Sequence, residues 1–102
     1  MWQPKIILQN DKLLPYEQAS VHPMSLGMTY ATAVFEGLRA YRNPTTGEFK
    51  IFRFAEHFKR LLLGMKVMRF DHSFTQEGMR EALAGLIRAN EPDDDVYIRL
   101  LV

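Results

Sequence analysis

Two short apolar stretches lie at the start of the chain, separated by a pair of polar residues. Residues 5–9 read Lys-Ile-Ile-Leu-Gln and residues 12–14 read Lys-Leu-Leu, with Asn10 and Asp11 between them. An Asn/Asp pair between apolar, partly β-branched stretches is typical of a β-hairpin with a two-residue turn. The sequence therefore predicts an antiparallel hairpin, followed by a loop that carries His22.

Alternation of side chains is the main feature of residues 33–42. Because successive side chains of a strand point to opposite sides of a sheet, this segment would have two distinct faces. One face comprises Val34, Glu36, Leu38 and Ala40, and the other comprises Phe35, Gly37, Arg39 and Tyr41. The second face mixes aromatic rings, glycine and arginine, which is unusual for a core and typical of a face that lines a site. We predict a strand here, preceded by a short helical turn and followed by a turn at 43–47 and a return strand over 49–53.

Helical spacing replaces alternation in the second half of the chain. Apolar residues recur at three- and four-residue steps at Phe54, Phe58, Leu61, Leu62, Met65 and Met68. A second helix is predicted from about Thr75, whose hydroxyl can cap free amides, with Glu77 favourable in its first turn. It should end around Asn90, because Pro92 cannot continue it and asparagine tolerates a left-handed cap. A final strand is predicted over residues 96–102.

The predicted elements begin with strands, continue with two consecutive helices and end with a strand. This order indicates an α+β fold. We expect a two-layer sandwich in which two helices cover one face of a mostly antiparallel sheet. A length of 102 residues suits one domain. A natural domain seldom ends on an apolar run such as residues 100–102, so we expect the parent protein to continue further.

Composition and charge narrow the possible partners. Hydrophobic residues make up 47% and charged residues 25%, which is typical of a folded globular chain. Thirteen basic residues oppose twelve acidic ones, a balance too nearly neutral for strong steering towards nucleic acid or acidic membranes. The absence of cysteine removes disulfides, thiolate catalysis and Cys-ligated metals. Without a signal-peptide pattern or a long apolar run, we expect a soluble, cytoplasmic protein.

The residues capable of site chemistry are mostly arginines. The three histidines show no metal-ligand spacing, and the glycines form no phosphate-binding loop, so we expect no metal site. Arg60 lies mid-helix beside the apolar stripe, Arg39 on the mixed strand face and Arg99 two residues after Tyr97. Arginine suits planar carboxylates and phosphates better than lysine does, although each of these residues, judged alone, is better explained by an interface or surface salt bridge.

The order of the motifs along the chain is more informative than any single residue. The segments are Val21-His22-Pro23-Met24-Ser25, Tyr30 to Tyr41, Phe52-Arg53 with Glu56-His57 and Lys59-Arg60-Leu61, and Tyr97-Ile98-Arg99. This order resembles the N-terminal domain of branched-chain aminotransferases, which are fold-type-IV pyridoxal-phosphate enzymes. The resemblance covers about residues 7–102, and Phe-Glu-Gly-Leu-Arg-Ala-Tyr is its most specific part. Ala31 departs from a usual glycine, and Leu100 from a usual proline.

The resemblance implies roles in cofactor and side-chain binding for three residues. Arg60 matches the arginine that holds the phosphate of pyridoxal 5′-phosphate, which suits a charge-assisted fork on a rigid helix. Phe35 and Tyr30 match residues that wall the pocket for an apolar substrate side chain. Tyr30 would reach the site of the partner subunit in a homodimer.

The resemblance also implies roles in recognising the rest of the substrate. Tyr97 and Arg99 match residues near the substrate carboxylates, and Arg99 would suit the distal carboxylate of glutamate or 2-oxoglutarate. Gly37 would allow the backbone to approach where a side chain would intrude. Arg39 lies on the same face and is included among the substrate-binding candidates.

The parent enzyme implied by the resemblance transfers the amino group of leucine, isoleucine or valine to 2-oxoglutarate. In that family the catalytic lysine lies in a second domain downstream, and none of the five lysines here matches it. Residues 1–102 would then be the small N-terminal domain, with no catalytic residue of its own and no activity alone. Two alternatives stay open: a non-catalytic binding or dimerisation module, and a relative of D-amino-acid aminotransferases or aminodeoxychorismate lyases.

Overall fold

Two separate antiparallel sheets, three α-helices and a short 3₁₀ helix (Tyr16–Gln18) form the part of the chain that the structure describes. The structure is a computed structural model and describes residues 3–102; the first two residues of the predicted domain lie outside this range. The elements are β1 (Ile6–Gln9), β2 (Lys12–Pro15), α1 (Leu26–Tyr30), β3 (Phe35–Arg42), β4 (Phe49–Ile51), α2 (Phe54–Val67), α3 (Gln76–Asn90) and β5 (Val96–Leu101). This is an α+β fold, as predicted.

The hairpin at the start of the chain is confirmed. Strands β1 and β2 pair antiparallel from Ile6 opposite Pro15 to Gln9 opposite Lys12. The two turn residues, Asn10 and Asp11, have φ angles of 51° and 65°. A tight turn that matches the twist of the strands needs positive φ at both positions, and Asn and Asp tolerate it well.

The second sheet has the strand order β4-β3-β5, with both pairings antiparallel. Strand β3 covers most of the predicted segment, and α1 is the predicted helical turn before it. Strand β4 is shorter than predicted. Arg53 adopts a left-handed conformation with φ of 52° and caps α2, so the chain has already left the strand there. The β3–β4 ladder begins only at Ala40, opposite Ile51.

The core lies between the three-stranded sheet and the two long helices. Its buried members are Leu38, Ala40, Phe54, Phe58, Leu83, Ile87 and Ile98. The even-numbered residues of β3 face this core, as the alternation predicted, and the odd-numbered residues face away from it. Helices α2 and α3 therefore cover one face only, and the other face of β3 is left without a covering layer from these helices.

The two ends of α3 differ in how well the sequence predicted them. Thr75 accepts a hydrogen bond from the Gly78 amide at 3.0 Å and caps the start of the helix, as expected. At the other end the prediction was wrong about the cap. Glu91, with φ of 47°, takes the left-handed conformation, whereas Asn90 is the last helical residue.

Asn90 is instead the link between the hairpin and α3. Its side-chain oxygen accepts from the Lys5 and Ile6 amides at 2.8 and 3.0 Å. Its side-chain nitrogen donates to the Ile6 and Leu86 carbonyls at 3.0 Å each. Asn90 therefore contributes its side chain to the hairpin, and the left-handed cap falls on the next residue. The hairpin is thus a small sheet attached to α3, where the sequence had suggested one continuous sheet.

The helices of residues 3–102 are short compared with the thickness of a lipid bilayer. None of these helices has both the length and the apolar composition needed to span a membrane. The longest, α3, has 15 residues and several charged side chains. Its one apolar side packs against the sheet, as in the helical layer of a two-layer domain.

Candidate functional site

The outward face of the three-stranded sheet carries most of the predicted substrate-binding residues. In the β3–β5 ladder Gly37 lies opposite Arg99, and Arg39 lies opposite Tyr97. Residues directly opposite each other point to the same side of an antiparallel sheet. Phe35 belongs to the same side of β3 and is exposed. The fold therefore brings five of the predicted residues onto one open surface, which we call the outer face.

Positive charge dominates this outer face. Lys50 lies opposite Tyr41 in the β3–β4 ladder and so adds a third cation to Arg39 and Arg99. The positions of β3, β4 and β5 on this side include no acidic residue. Among the residues described, neither Arg39 nor Arg99 forms an ion pair. Exposed guanidinium groups beside aromatic rings can bind a ligand that has both a carboxylate and an apolar part.

Gly37 and Tyr97 fit together on the outer face. A Cβ atom at Gly37 would lie 2.8 and 2.9 Å from Cε2 and Cζ of the Tyr97 ring, and closer still to its hydroxyl. Such separations are far below van der Waals contact, so the ring can occupy this position only over a glycine. The close neighbour of the Gly37 backbone is therefore the Tyr97 side chain, which leans diagonally across the ladder.

Tyr30 is not joined to the outer face. It is the last residue of α1, its side chain is 71% exposed, and no hydrogen bond of that side chain is found within residues 3–102. The next residue, Ala31, ends the helix with φ of 54°. A left-handed conformation costs an alanine about 1–2 kcal/mol and a glycine very little. The backbone at position 31 is thus the kind that favours the glycine of the resembling family.

Arg60 lies on the other side of β3, where it contacts a buried carboxylate. Glu36 faces the helices and is only 4% exposed. The Arg60 guanidinium donates through Nε to Oε1 and through Nη2 to Oε2, the latter at 2.9 Å. His57 Nδ1 lies 2.8 Å from Oε2 of the same carboxylate. We call these three residues the Glu36 cluster.

The packing of α2 on β3 explains why the Glu36 cluster forms. His57 and Arg60 each precede a buried residue of α2 by one position and so lie along one edge of its apolar stripe. One turn further, a Cβ at Gly64 would lie 2.8 Å from Cγ1 of Val34. The absence of a side chain at Gly64 lets the helix approach β3 closely. Val34 directly precedes β3 and points to the same side as Glu36, so the same close approach brings His57 and Arg60 to the carboxylate.

Charge within the Glu36 cluster is set mainly by Arg60. The Arg60 hydrogen bond lowers the pKa of Glu36; burial opposes this, and His57 adds a smaller lowering contribution. The same contact raises the pKa of Arg60. Glu36 is therefore an ionised acceptor at neutral pH, and a hydrogen bond to His57 requires the proton to be on Nδ1. Within residues 3–102, no group of three or more potential ligands is arranged to hold a metal ion.

An open strand edge lies between Arg60 and the outer face. Val34 exchanges two backbone hydrogen bonds with Val102, so Glu36 and Leu38 also point their backbone groups towards β5. The backbone groups of Phe35 and Gly37 then point to the opposite edge, where β4 does not extend. A ligand at this edge could reach both sides of β3, because Glu36 and Gly37 are adjacent in the strand.

Glu36 and His57 were not among the residues predicted for the candidate site. Glu36 was placed on the core face of the strand, but no partner was assigned to it. The available signal was its charge, since the other residues of that face, Val34, Leu38 and Ala40, are apolar. A buried carboxylate needs a cationic or hydrogen-bonding partner, and His57 and Arg60 are spaced by three on the next helix.

Comparisons with known proteins agree with this architecture. The family model described as "Amino-transferase class IV" matches residues 33–102. A "Probable branched-chain-amino-acid aminotransferase" of Aquifex aeolicus (strain VF5) is 34% identical over 88 residues, which cover 86% of this chain and 28% of the relative. The chain therefore spans less than a third of that relative's length.

Solved structures give the same result. The branched-chain amino acid aminotransferase of Thermobaculum terrenum in its PLP-form aligns with a TM-score of 0.84 at 40% identity, over 96% of this chain and 32% of the other. The branched-chain amino acid aminotransferase of Escherichia coli aligns with a TM-score of 0.87 at 35% identity, over 97% of this chain and 32% of the other.

An α+β domain with these strand pairings and this sequence is thus of the class IV aminotransferase type. Since the family model matches more than half of the residues, the chain belongs to the class IV aminotransferase family. Its similar relatives and solved structures are branched-chain aminotransferases, which this chain matches in their N-terminal portion.

Proposed function

We propose that residues 1–102 form the small N-terminal domain of a branched-chain aminotransferase that uses pyridoxal 5′-phosphate. The observation that carries the proposal is the outer face, where Arg39 and Arg99 lie beside Phe35 and Tyr97. Leucine, isoleucine and valine combine a carboxylate with an apolar side chain, and 2-oxoglutarate carries a second carboxylate. The combination of cations and aromatic rings suits both kinds of substrate.

Arg60 is the proposed ligand of the cofactor phosphate. Its Nε and Nη2 atoms donate to Glu36, which leaves both N–H groups of Nη1 without a hydrogen-bond partner among residues 3–102, and the side chain is 68% exposed. This donor set fits a phosphate, which arginine binds through charge-assisted hydrogen bonds. When bound, the cofactor supplies the electron sink for amino-group transfer. The role of this domain is to bind and orient, and its own residues supply no catalytic base.

The remaining residues are proposed to orient the substrate. Arg99 binds the distal carboxylate of glutamate or 2-oxoglutarate, and Tyr97 lies beside it, near the carboxylates. Gly37, which has no side chain, leaves room for the Tyr97 ring to lie over the strand beside the substrate. Phe35 and Tyr30 wall the apolar side chain, with Tyr30 acting in the site of a second subunit. Its exposure in one copy of the domain is compatible with that arrangement.

Homodimer formation and a cytoplasmic location belong to the same proposal. The segment before β3 exposes several large apolar side chains, including Met24, Leu26 and Met28. Apolar surface of this kind is typical of a protein interface. A second copy of the enzyme would cover it and would bring Tyr30 to the neighbouring site.

The phosphate role can be tested with pyridoxamine 5′-phosphate, because it has no aldehyde that could react with surface lysines. Binding to this chain is measured by fluorescence titration, with unphosphorylated pyridoxamine as the matched ligand. We expect the phosphate to strengthen binding to the wild type and to have no such effect on Arg60→Ala. Lys59→Ala, which removes a neighbouring exposed cation, is the control and should bind as the wild type does. Equal affinity of wild type and Arg60→Ala for the phosphorylated ligand would refute the role of Arg60.

A further inference from the structure

Glu36 is the one buried carboxylate among the described residues, and substrate binding by the outer face does not use it. We propose that Glu36 is a positioning residue: its carboxylate holds the Arg60 guanidinium in one orientation and presents the opposite edge to the cofactor phosphate. The inference rests on the proposed phosphate role of Arg60. It assigns to Glu36 a function that acts only through that arginine.

The hydrogen bonds from Arg60 to Glu36 lie along one edge of the guanidinium. Its Nε and Nη2 atoms both donate to Glu36, one to each carboxylate oxygen. Within residues 3–102, no hydrogen bond involves Nη1. Two parallel hydrogen bonds to one carboxylate fix the plane of the guanidinium, because they prevent this group from rotating. The Nη1 donors are then held in a fixed orientation relative to Glu36.

The carboxylate is itself held in place. His57 donates to Oε2 from the same helix as Arg60, and burial between α2 and β3 restricts the Glu36 side chain further. Within the described chain, no buried side-chain polar atom of this region lacks a partner. Glu36 thus provides a fixed anchor, whereas Arg60 is long, exposed and otherwise free to rotate.

Stability alone gives a weak reason for a carboxylate at this position. Replacing a buried ion pair with apolar residues of similar volume is often neutral or stabilising. The neighbouring positions on this face of β3 are apolar, and Leu38 is fully buried there. An apolar residue at position 36 would suit the core, but it would leave the orientation of Arg60 unspecified.

Removal of the Glu36 carboxylate should have opposite effects on phosphate binding, depending on whether Glu36 acts through its charge or by positioning Arg60. Glu36 cancels the charge of Arg60, so its removal should strengthen anion binding if only charge matters. If Glu36 positions the guanidinium, its removal should weaken binding, because the ligand must then immobilise a flexible side chain. Immobilising one such side chain corresponds to a loss of about three- to tenfold in affinity.

The experiment compares the wild type with Glu36→Gln, which is nearly isosteric and uncharged. Glu56→Gln is the control, since Glu56 is an exposed carboxylate on α2, the helix that carries Arg60. Affinity for pyridoxamine 5′-phosphate is measured by titration, and rotation of the Arg60 guanidinium is followed by NMR of its ¹⁵N-labelled side chain. We expect separate Nη signals in the wild type and in Glu56→Gln. We expect averaged signals and a three- to tenfold weaker affinity in Glu36→Gln.

The outcomes separate this inference from the proposed function. If Arg60→Ala binds as the wild type does, the phosphate role of Arg60 fails whatever Glu36→Gln shows. If Arg60→Ala loses affinity but Glu36→Gln binds equally or more tightly, the phosphate role stands and positioning is refuted. Averaged Nη signals in the unliganded wild type also refute positioning. That last measurement needs no variant, so it decides the question even if Glu36→Gln does not fold.

Discussion

Asn90→Ala should destabilise the domain by releasing the hairpin from α3. The side chain is 8% exposed and makes four hydrogen bonds. Its removal takes the partner from the Lys5 and Ile6 amides and from the Ile6 carbonyl. A hydrogen bond contributes about 1 kcal/mol net, and a buried group left unpaired costs about 1–3 kcal/mol. Water can reach the exposed Lys5, so we expect a loss of about 2–3 kcal/mol, a large share of the roughly 5–15 kcal/mol typical of a domain.

The assay is urea denaturation followed by circular dichroism, together with amide hydrogen exchange. The exchange measurement locates the effect: the amides of β1 should exchange faster in Asn90→Ala, while those of β3 change only in line with global stability. Asn90→Asp is the informative partner variant. It keeps the two accepting contacts, but it places a carboxylate against the Ile6 and Leu86 carbonyls and should also be destabilised.

A small effect would contradict this account of the hairpin. If Asn90→Ala loses less than about 0.5 kcal/mol and the exchange of β1 is unchanged, the four bonds do not hold the hairpin in solution. Alanine improves helix propensity by several tenths of a kcal/mol at most, which is too little to mask the expected loss.

Three further predictions concern the neighbourhood of the candidate site. Because the pKa of Glu36 is lowered in the folded state, its contribution to stability is present above the ordinary glutamate pKa of about 4.3 and is lost as pH falls through the lowered value. Urea unfolding at pH 6 and at lower pH should therefore show a smaller acid-induced loss in Glu36→Gln, and an equal loss in both proteins would count against the assignment. Gly37→Ala should displace the Tyr97 ring with a stability change below about 1 kcal/mol, since the ring is exposed and can rotate away; unchanged ring NMR signals would be inconsistent with the close fit. Ala31→Gly should raise the free energy of unfolding by up to about 1 kcal/mol by relieving its left-handed conformation, and a decrease in that free energy would rule this out.

Local features of the fold could be predicted from the sequence. The turn at Asn10 and Asp11 and the cap at Thr75 depend on a few neighbouring residues, whose chemistry is readable from the chain alone. The separation of the hairpin from the larger sheet could not be predicted in this way. It depends on Asn90, which lies 84 and 85 positions from its hairpin partners.

In the candidate site, too, local features could be predicted from the sequence and long-range contacts could not. Alternation along β3 was sufficient to place Phe35, Gly37 and Arg39 on one face, and pairing with β5 added the residues of the last strand. The contact between Glu36 and Arg60 joins a strand and a helix 24 positions apart. Periodicity within each element specifies which side faces the core, but not which residues meet across it.

The proposed function is tested by an amino-transfer assay on the native polypeptide that contains this sequence, purified from its own cells. L-leucine, L-isoleucine and L-valine are offered with 2-oxoglutarate, D-alanine serves as the competing donor, and glutamate formation is measured. We expect transfer from the branched-chain L-amino acids and little from D-alanine. A preference for D-alanine would indicate a D-amino-acid enzyme, and the absence of transfer from every donor would indicate a non-catalytic module. Either of these results would contradict the proposed function.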